Sequence, residues 1–71
     1  MITFAKHNRC ELYSIGGVYF FGNDGKLYKL TYQQYIEFFE QTKGNTDEVK
    51  INYLLENINN YKLIYNGNHK L

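Results

Sequence analysis

"VYFFGNDGKLYKLTYQQYIEFF", residues 18–39, contains the change of period that sets the fold. Val18–Phe21 and Lys26–Leu30 read as two strand arms. The "GNDG" between them supplies residues that tolerate positive φ, a strong short-range hairpin signal. Leu27 and Lys29 alternate with Lys26, Tyr28 and Leu30, so the ribbon is expected to have one apolar face and one aromatic face with a lysine fringe. At Thr31 the alternation stops. "TYQQ" sets a hydroxyl three residues before Gln34, the capping-box pattern that satisfies two orphan amides at a helix start. Tyr32, Tyr35, Ile36, Phe38 and Phe39 then recur at helical spacing, and Gly44 after Lys43 provides a left-handed stop. The spacing predicts a helix over 32–43.

Working outward, Ile2 to Lys6 alternates Ile2, Phe4 and Lys6 against Thr3 and Ala5, and reads as a short strand. His7-Asn8-Arg9 is turn-like. Cys10 to Ile15 follows as a second strand, with Cys10, Leu12 and Ser14 on one side and Glu11, Tyr13 and Ile15 on the other. Gly16-Gly17 turns the chain into the ribbon. Downstream, "NTDEVKINYLLENINN" admits two readings. As a helix it starts at Asn45 or Thr46, puts Asp47 and Glu48 in the positive first turn, and aligns Ile51, Leu54, Leu55 and Ile58. As a strand it alternates Val49, Ile51, Tyr53 and Leu55. The helical set is longer and better capped, which favours helix. "YKLIYNG" reads as a last strand, and the tail "NHKL" is expected to fray. The expected fold is α+β over one domain, residues 1–71: a small antiparallel sheet of hairpins plus a C-terminal strand, packed on one or two helices. The helix aromatics claim one sheet face and nothing in the chain is left to cover the other.

Bulk properties restrict what such a chain does. Seventy-one residues lie at the lower end of what folds on a single core, where a staple, a metal or a second subunit is common. The single cysteine, Cys10, closes no internal disulfide and is expected to be a buried, inert thiol. Cys10, His7 and His69 lack the paired spacing of a tetrahedral metal site, so no metal and no cofactor are expected. That leaves self-association as the readiest gain in buried area. The net charge is +1 with the signs scattered, which argues against a strong nucleic-acid magnet. No uncharged run is long enough to cross a bilayer, and the first residues do not read as a secretion signal, so a cytoplasmic protein is expected.

Catalytic chemistry finds little support. Glu37 and Glu40 lie on one side of the predicted helix, where a carboxylate pair is usually a solvated face. Ser14 has no nucleophile-elbow context, and "GNDG" lacks the Lys-Ser/Thr and helix of a phosphate-cradling loop. The aromatic content is the informative signal. Eight tyrosines and five phenylalanines exceed what one small core encloses. One reading is core plus ordinary strand preference, with tyrosines at the boundary. The other is an interaction surface, because Tyr and Phe anchors dominate protein interfaces. A variant of the second has Tyr19, Phe21 and Tyr28 stack single-stranded bases while Lys26 and Lys29 neutralise phosphates.

The segments "NDGKLYKLTYQQYIEFF" and "GNTDEVKINYLL" together resemble the small uracil-DNA glycosylase inhibitor family of phi29-like phages, over roughly half the chain. The resemblance rests on a D-G-K turn, a Leu-Ser/Thr entry into an aromatic helix, and a following G-N-T with acidic and alternating apolar residues. It implies a dimer of short sheet-plus-helix subunits that mimics DNA and traps an apolar protrusion of a host enzyme. The family's key helical aromatic falls on Tyr35, a second on Phe39, and its acidic contacts on positions such as Glu37 and Glu40. It also implies a strand after G-N-T, against the helical reading above. The expectation is a non-catalytic host-takeover protein that binds and inhibits a host protein, a DNA-acting enzyme such as uracil-DNA glycosylase being the example. Its anchors are Tyr32, Tyr35 and Phe39, with Glu37 and Glu40 as phosphate-like or rim contacts. The rival expectation is the single-stranded nucleic-acid binder.

Overall fold

The computed structural model describes residues 1–67, and the tail 68–71 expected to fray lies outside them. Five strands run in chain order across one antiparallel sheet: β1 (Ile2–His7), β2 (Cys10–Ile15), β3 (Val18–Asn23), β4 (Lys26–Leu30) and β5 (Lys62–Asn66). Between β4 and β5 the chain forms α1 (Tyr32–Thr42), α2 (Asp47–Glu56) and one turn of 3₁₀ helix, Ile58–Asn60. The architecture is α+β, as the change of period at Thr31 predicts.

The local signals act through identifiable bonds. In the ribbon, Asn23 and Lys26 still pair, so the turn narrows to Asp24-Gly25, both at positive φ. This backbone matches the twist of the flanking strands. At the start of α1, the Thr31 hydroxyl accepts from the Gln34 N–H at 3.1 Å, and the Gln34 side-chain oxygen accepts from the Thr31 N–H at 2.9 Å. Gly44, at φ +81°, supplies the left-handed residue beyond the helix end. Thr46 then caps α2 by accepting from the Val49 N–H. The segment after Gly44-Asn45-Thr46 is therefore helical, and the strand implied by the family resemblance is absent there. Acidic side chains in the first turn and a hydroxyl cap favour helix over alternation.

β1 departs from simple alternation. Thr3 pairs with Tyr13 and Ala5 with Leu12, so Phe4 is the extra residue of a bulge. The bulge resets the phase: Phe4 and Ala5 both turn to the helices, while Lys6, opposite Glu11, faces away. The expected grouping of Ile2, Phe4 and Lys6 on one side is corrected accordingly. A second bulge separates Leu63, opposite Tyr28, from Tyr65, opposite Leu27.

The core lies between the helices and one sheet face. Leu12, Phe21 and Leu30 of the sheet meet Phe38 of α1 and Ile51 and Leu54 of α2, with Ala5, Cys10 and Tyr61 at the margins. Each fully buried apolar side chain contributes about 1.5–3 kcal/mol. A main-chain tie fixes α2 to the sheet edge, where the Lys6 N–H donates to Asp47 Oδ2 at 3.0 Å. Among the described residues, no helix is long and apolar enough to cross a membrane.

Candidate functional site

The helical repeat gathers rings at one end of α1. Tyr32, Tyr35 and Phe39 stand at i, i+3 and i+7, which is one side of a helix. Tyr35 sits at the centre. Its ring stacks on Tyr19 of β3 with centroids 4.2 Å apart and planes 13° from parallel. It also meets Phe4 at 4.9 Å, Phe38 at 6.1 Å and Phe39 at 6.4 Å. Tyr19 in turn lies 5.9 Å from Phe4 and 6.3 Å from Tyr32. Phe4 reaches this group because the β1 bulge rotates it toward the helices.

Exposure separates support from surface. Tyr35, Tyr19 and Phe4 are half-buried, whereas Tyr32 is 65% exposed and Phe39 48% exposed. Ile2, 61% exposed and on the same sheet face, extends the apolar area. Burial, with Tyr19 and Tyr32 nearby, pushes the Tyr35 hydroxyl above the ordinary tyrosine range. The arrangement is a ring platform held rigid from below, with two large side chains projecting into solvent.

The expected acidic contacts are not gathered with these rings. Glu37 lies close enough to Tyr61 and Tyr53 to push both hydroxyls upward, second to burial at Tyr53 and after burial and Tyr53 at Tyr61, which places it on the α2 side of α1. On that side Gln34 Nε2 also donates to the Asn60 carbonyl at 2.8 Å. Glu40 is exposed on the flank, one residue and about 100° around the helix from Phe39. The anchors come together; Glu37 does not join them.

The five residues expected of a nucleic-acid face are divided by the sheet. Phe21 is fully buried, and Tyr19, Tyr28 and Lys26 share its helix-covered side. Lys29 projects from the opposite side. The rings on the uncovered side are others: Tyr13, directly opposite Phe20 with centroids 5.6 Å apart, and Tyr65. Sequence reading passed over them because Phe20 and Phe21 are neighbours in one apolar run. Only the burial of Leu12 rather than Tyr13 fixes which of the two faces inward. The signal that locates them is the Leu12↔Phe21 register.

No protein-family model, curated protein or solved structure matches this chain.

Proposed function

We propose that this chain is a small, non-catalytic binding protein that inhibits a host protein by covering an apolar element of its functional surface. Tyr32 and Phe39 are the inserting anchors, and Tyr35, stacked on Tyr19, is the platform that orients them. The observation that carries the reading is large exposed rings mounted on a packed aromatic layer. Such rings gain contact area on binding with little further ordering cost, the pattern of interface hot spots. Glu40 serves as a rim contact. The sequence resemblance nominates a DNA-acting target such as uracil-DNA glycosylase, and a homodimer as the binding unit.

A uracil-excision assay with purified bacterial enzyme tests the nominated target. Dose-dependent inhibition by the natural chain, lost in Tyr32→Ala/Phe39→Ala, is the expected result. Affinity capture from a bacterial lysate tests the class: one protein retained by the natural chain and released by the double variant supports it. Identical capture by both chains overturns the anchor assignment.

A further inference from the structure

The sheet face turned away from the helices carries its own organised chemistry. Two rows of directly opposed residues cross all five strands. The first reads Thr3, Tyr13, Phe20, Lys29, Lys62. The second reads Lys6, Glu11, Gly22, Leu27, Tyr65. Neither helix packs here. Tyr13 and Phe20 are tilted 33° to each other and half-buried, lying along the sheet with part of each ring open to solvent.

Charge on this face is uneven. Glu11 stands opposite Lys6 and accepts from the Thr3 hydroxyl at 2.7 Å. At the other end Lys29 and Lys62 oppose each other directly, an arrangement that destabilises a sheet. The one ion pair among the described residues, Arg9–Asp24, joins the tips of the β1–β2 and β3–β4 hairpins and neutralises neither lysine. Next to the rings, an open depression of about 400 Å³ runs from Gly22, Lys6, Glu11, Tyr13 and Leu27 to the hairpin tips at Arg9 and Asp24. Nothing in the packing demands glycine there, because a Cβ would meet only the Glu11 carbonyl at 4.0 Å.

We infer that this open face binds single-stranded nucleic acid. Tyr13 and Phe20 form the stacking platform, the Gly22 depression receives a flat base edge, and Lys29 and Lys62 hold the backbone phosphates. Opposed lysines that weaken the free sheet become favourable once an anionic backbone runs between them. Flat rings beside paired cations suit stacked bases, whose π-faces make the contact tolerant of sequence. A second copy of the chain is disfavoured as occupant, because two such faces would bring lysine rows together. The site is separate from the anchor rings, and its test is independent of theirs.

Fluorescence anisotropy with labelled oligo(dT) and oligo(U) of about 15 nucleotides provides the test. Binding is expected to weaken with salt with a log–log slope of about −1.4, about −0.7 for each of the two phosphates that Lys29 and Lys62 neutralise. Phe20→Leu is expected to weaken binding at least about fivefold by removing a stacking face. Gly22→Ala is expected to weaken it by filling the depression while leaving the melting temperature unchanged. Lys62→Glu is the decisive variant. It places unlike charges opposite each other, so it should hold or raise the melting temperature while lowering affinity and flattening the salt slope. Tyr32→Ala/Phe39→Ala should bind oligonucleotide as the natural chain does. No anisotropy change at about 50 mM salt overturns the inference, as does binding that Lys62→Glu and Phe20→Leu leave intact. Displacement of the oligonucleotide by anionic phospholipid vesicles, or a dimer that Phe20→Leu dissolves without any oligonucleotide binding, gives the face to another occupant.

Discussion

Tyr35 and Tyr32 are three residues apart on one helix and have different energetic roles. Tyr35 touches rings from β1, β3 and its own helix, so Tyr35→Ala opens a gap in a packed layer and is expected to cost about 2–4 kcal/mol in urea denaturation. Tyr32→Ala removes a side chain already in water and should stay within about 0.5 kcal/mol of the natural chain. Loss of binding in Tyr35→Ala therefore mixes folding with recognition, and Tyr32 and Phe39 are the cleaner probes. Tyr61 shows a further single-residue effect. Burial, then Tyr53 and Glu37, raises its hydroxyl well above the ordinary tyrosine value of about 10. The folded state thus favours the protonated form, and its contribution is complete below the unfolded value. It is lost as pH rises from there toward the folded value, because the unfolded chain ionises first. The melting temperature should fall as the pH rises above about 10, and Tyr61→Phe should reduce that fall.

At the level of elements, Gln34 does two jobs with one amide. Its oxygen completes the cap of α1 and its nitrogen holds the 3₁₀ turn that leads into β5. Thr31→Ala should cost about 1 kcal/mol, the usual worth of an N-cap hydroxyl. Gln34→Glu keeps the acceptor, loses the donor and sets a carboxylate against the Asn60 carbonyl. It should destabilise by about 1–2 kcal/mol, and amide exchange should show the loss concentrated at residues 58–62. The cap itself was legible in "TYQQ", as were the places of the turns and the Gly44 stop, because each is set by near neighbours; that the "GNDG" turn narrows to Asp24-Gly25 was not. The bulges at Phe4 and Ile64 were not. A bulge depends on which partner residues are skipped across a ladder, and nothing in the local order of β1 or β5 encodes that choice. The second service of Gln34, across 26 residues to Asn60, was equally invisible.

For the whole molecule, a sheet with helices on one side leaves a small chain short of buried area. The proposed homodimer should sediment at twice 8.5 kDa, and a chain that stays at 8.5 kDa at high concentration refutes it. β5 deserves separate measurement, since it is an edge strand with every residue exposed, including Leu63, Ile64 and Tyr65. Its amides should exchange faster than those of β2 and β3, where pairing on both sides protects the ladder. The class of fold followed from the change of period at Thr31, but the identity of the open face did not. β2 and β3 carry apolar residues at both parities, Leu12 beside Tyr13 and Phe21 beside Phe20, so alternation alone gives two equivalent assignments. The helices break that symmetry through Phe38, Ile51 and Leu54, whose contacts arise only in three dimensions.

Adjacent phenylalanines facing opposite ways have a consequence for divergence of this chain. Phe21 is held in place by everything packed over it, whereas Phe20 answers only to whatever lands on the outer surface. Genetic drift should therefore treat the two faces of the central ribbon unequally. Leu12, Phe21 and Leu30 should exchange only for other oily side chains, while Tyr13, Phe20 and Lys29 change together whenever the ligand does.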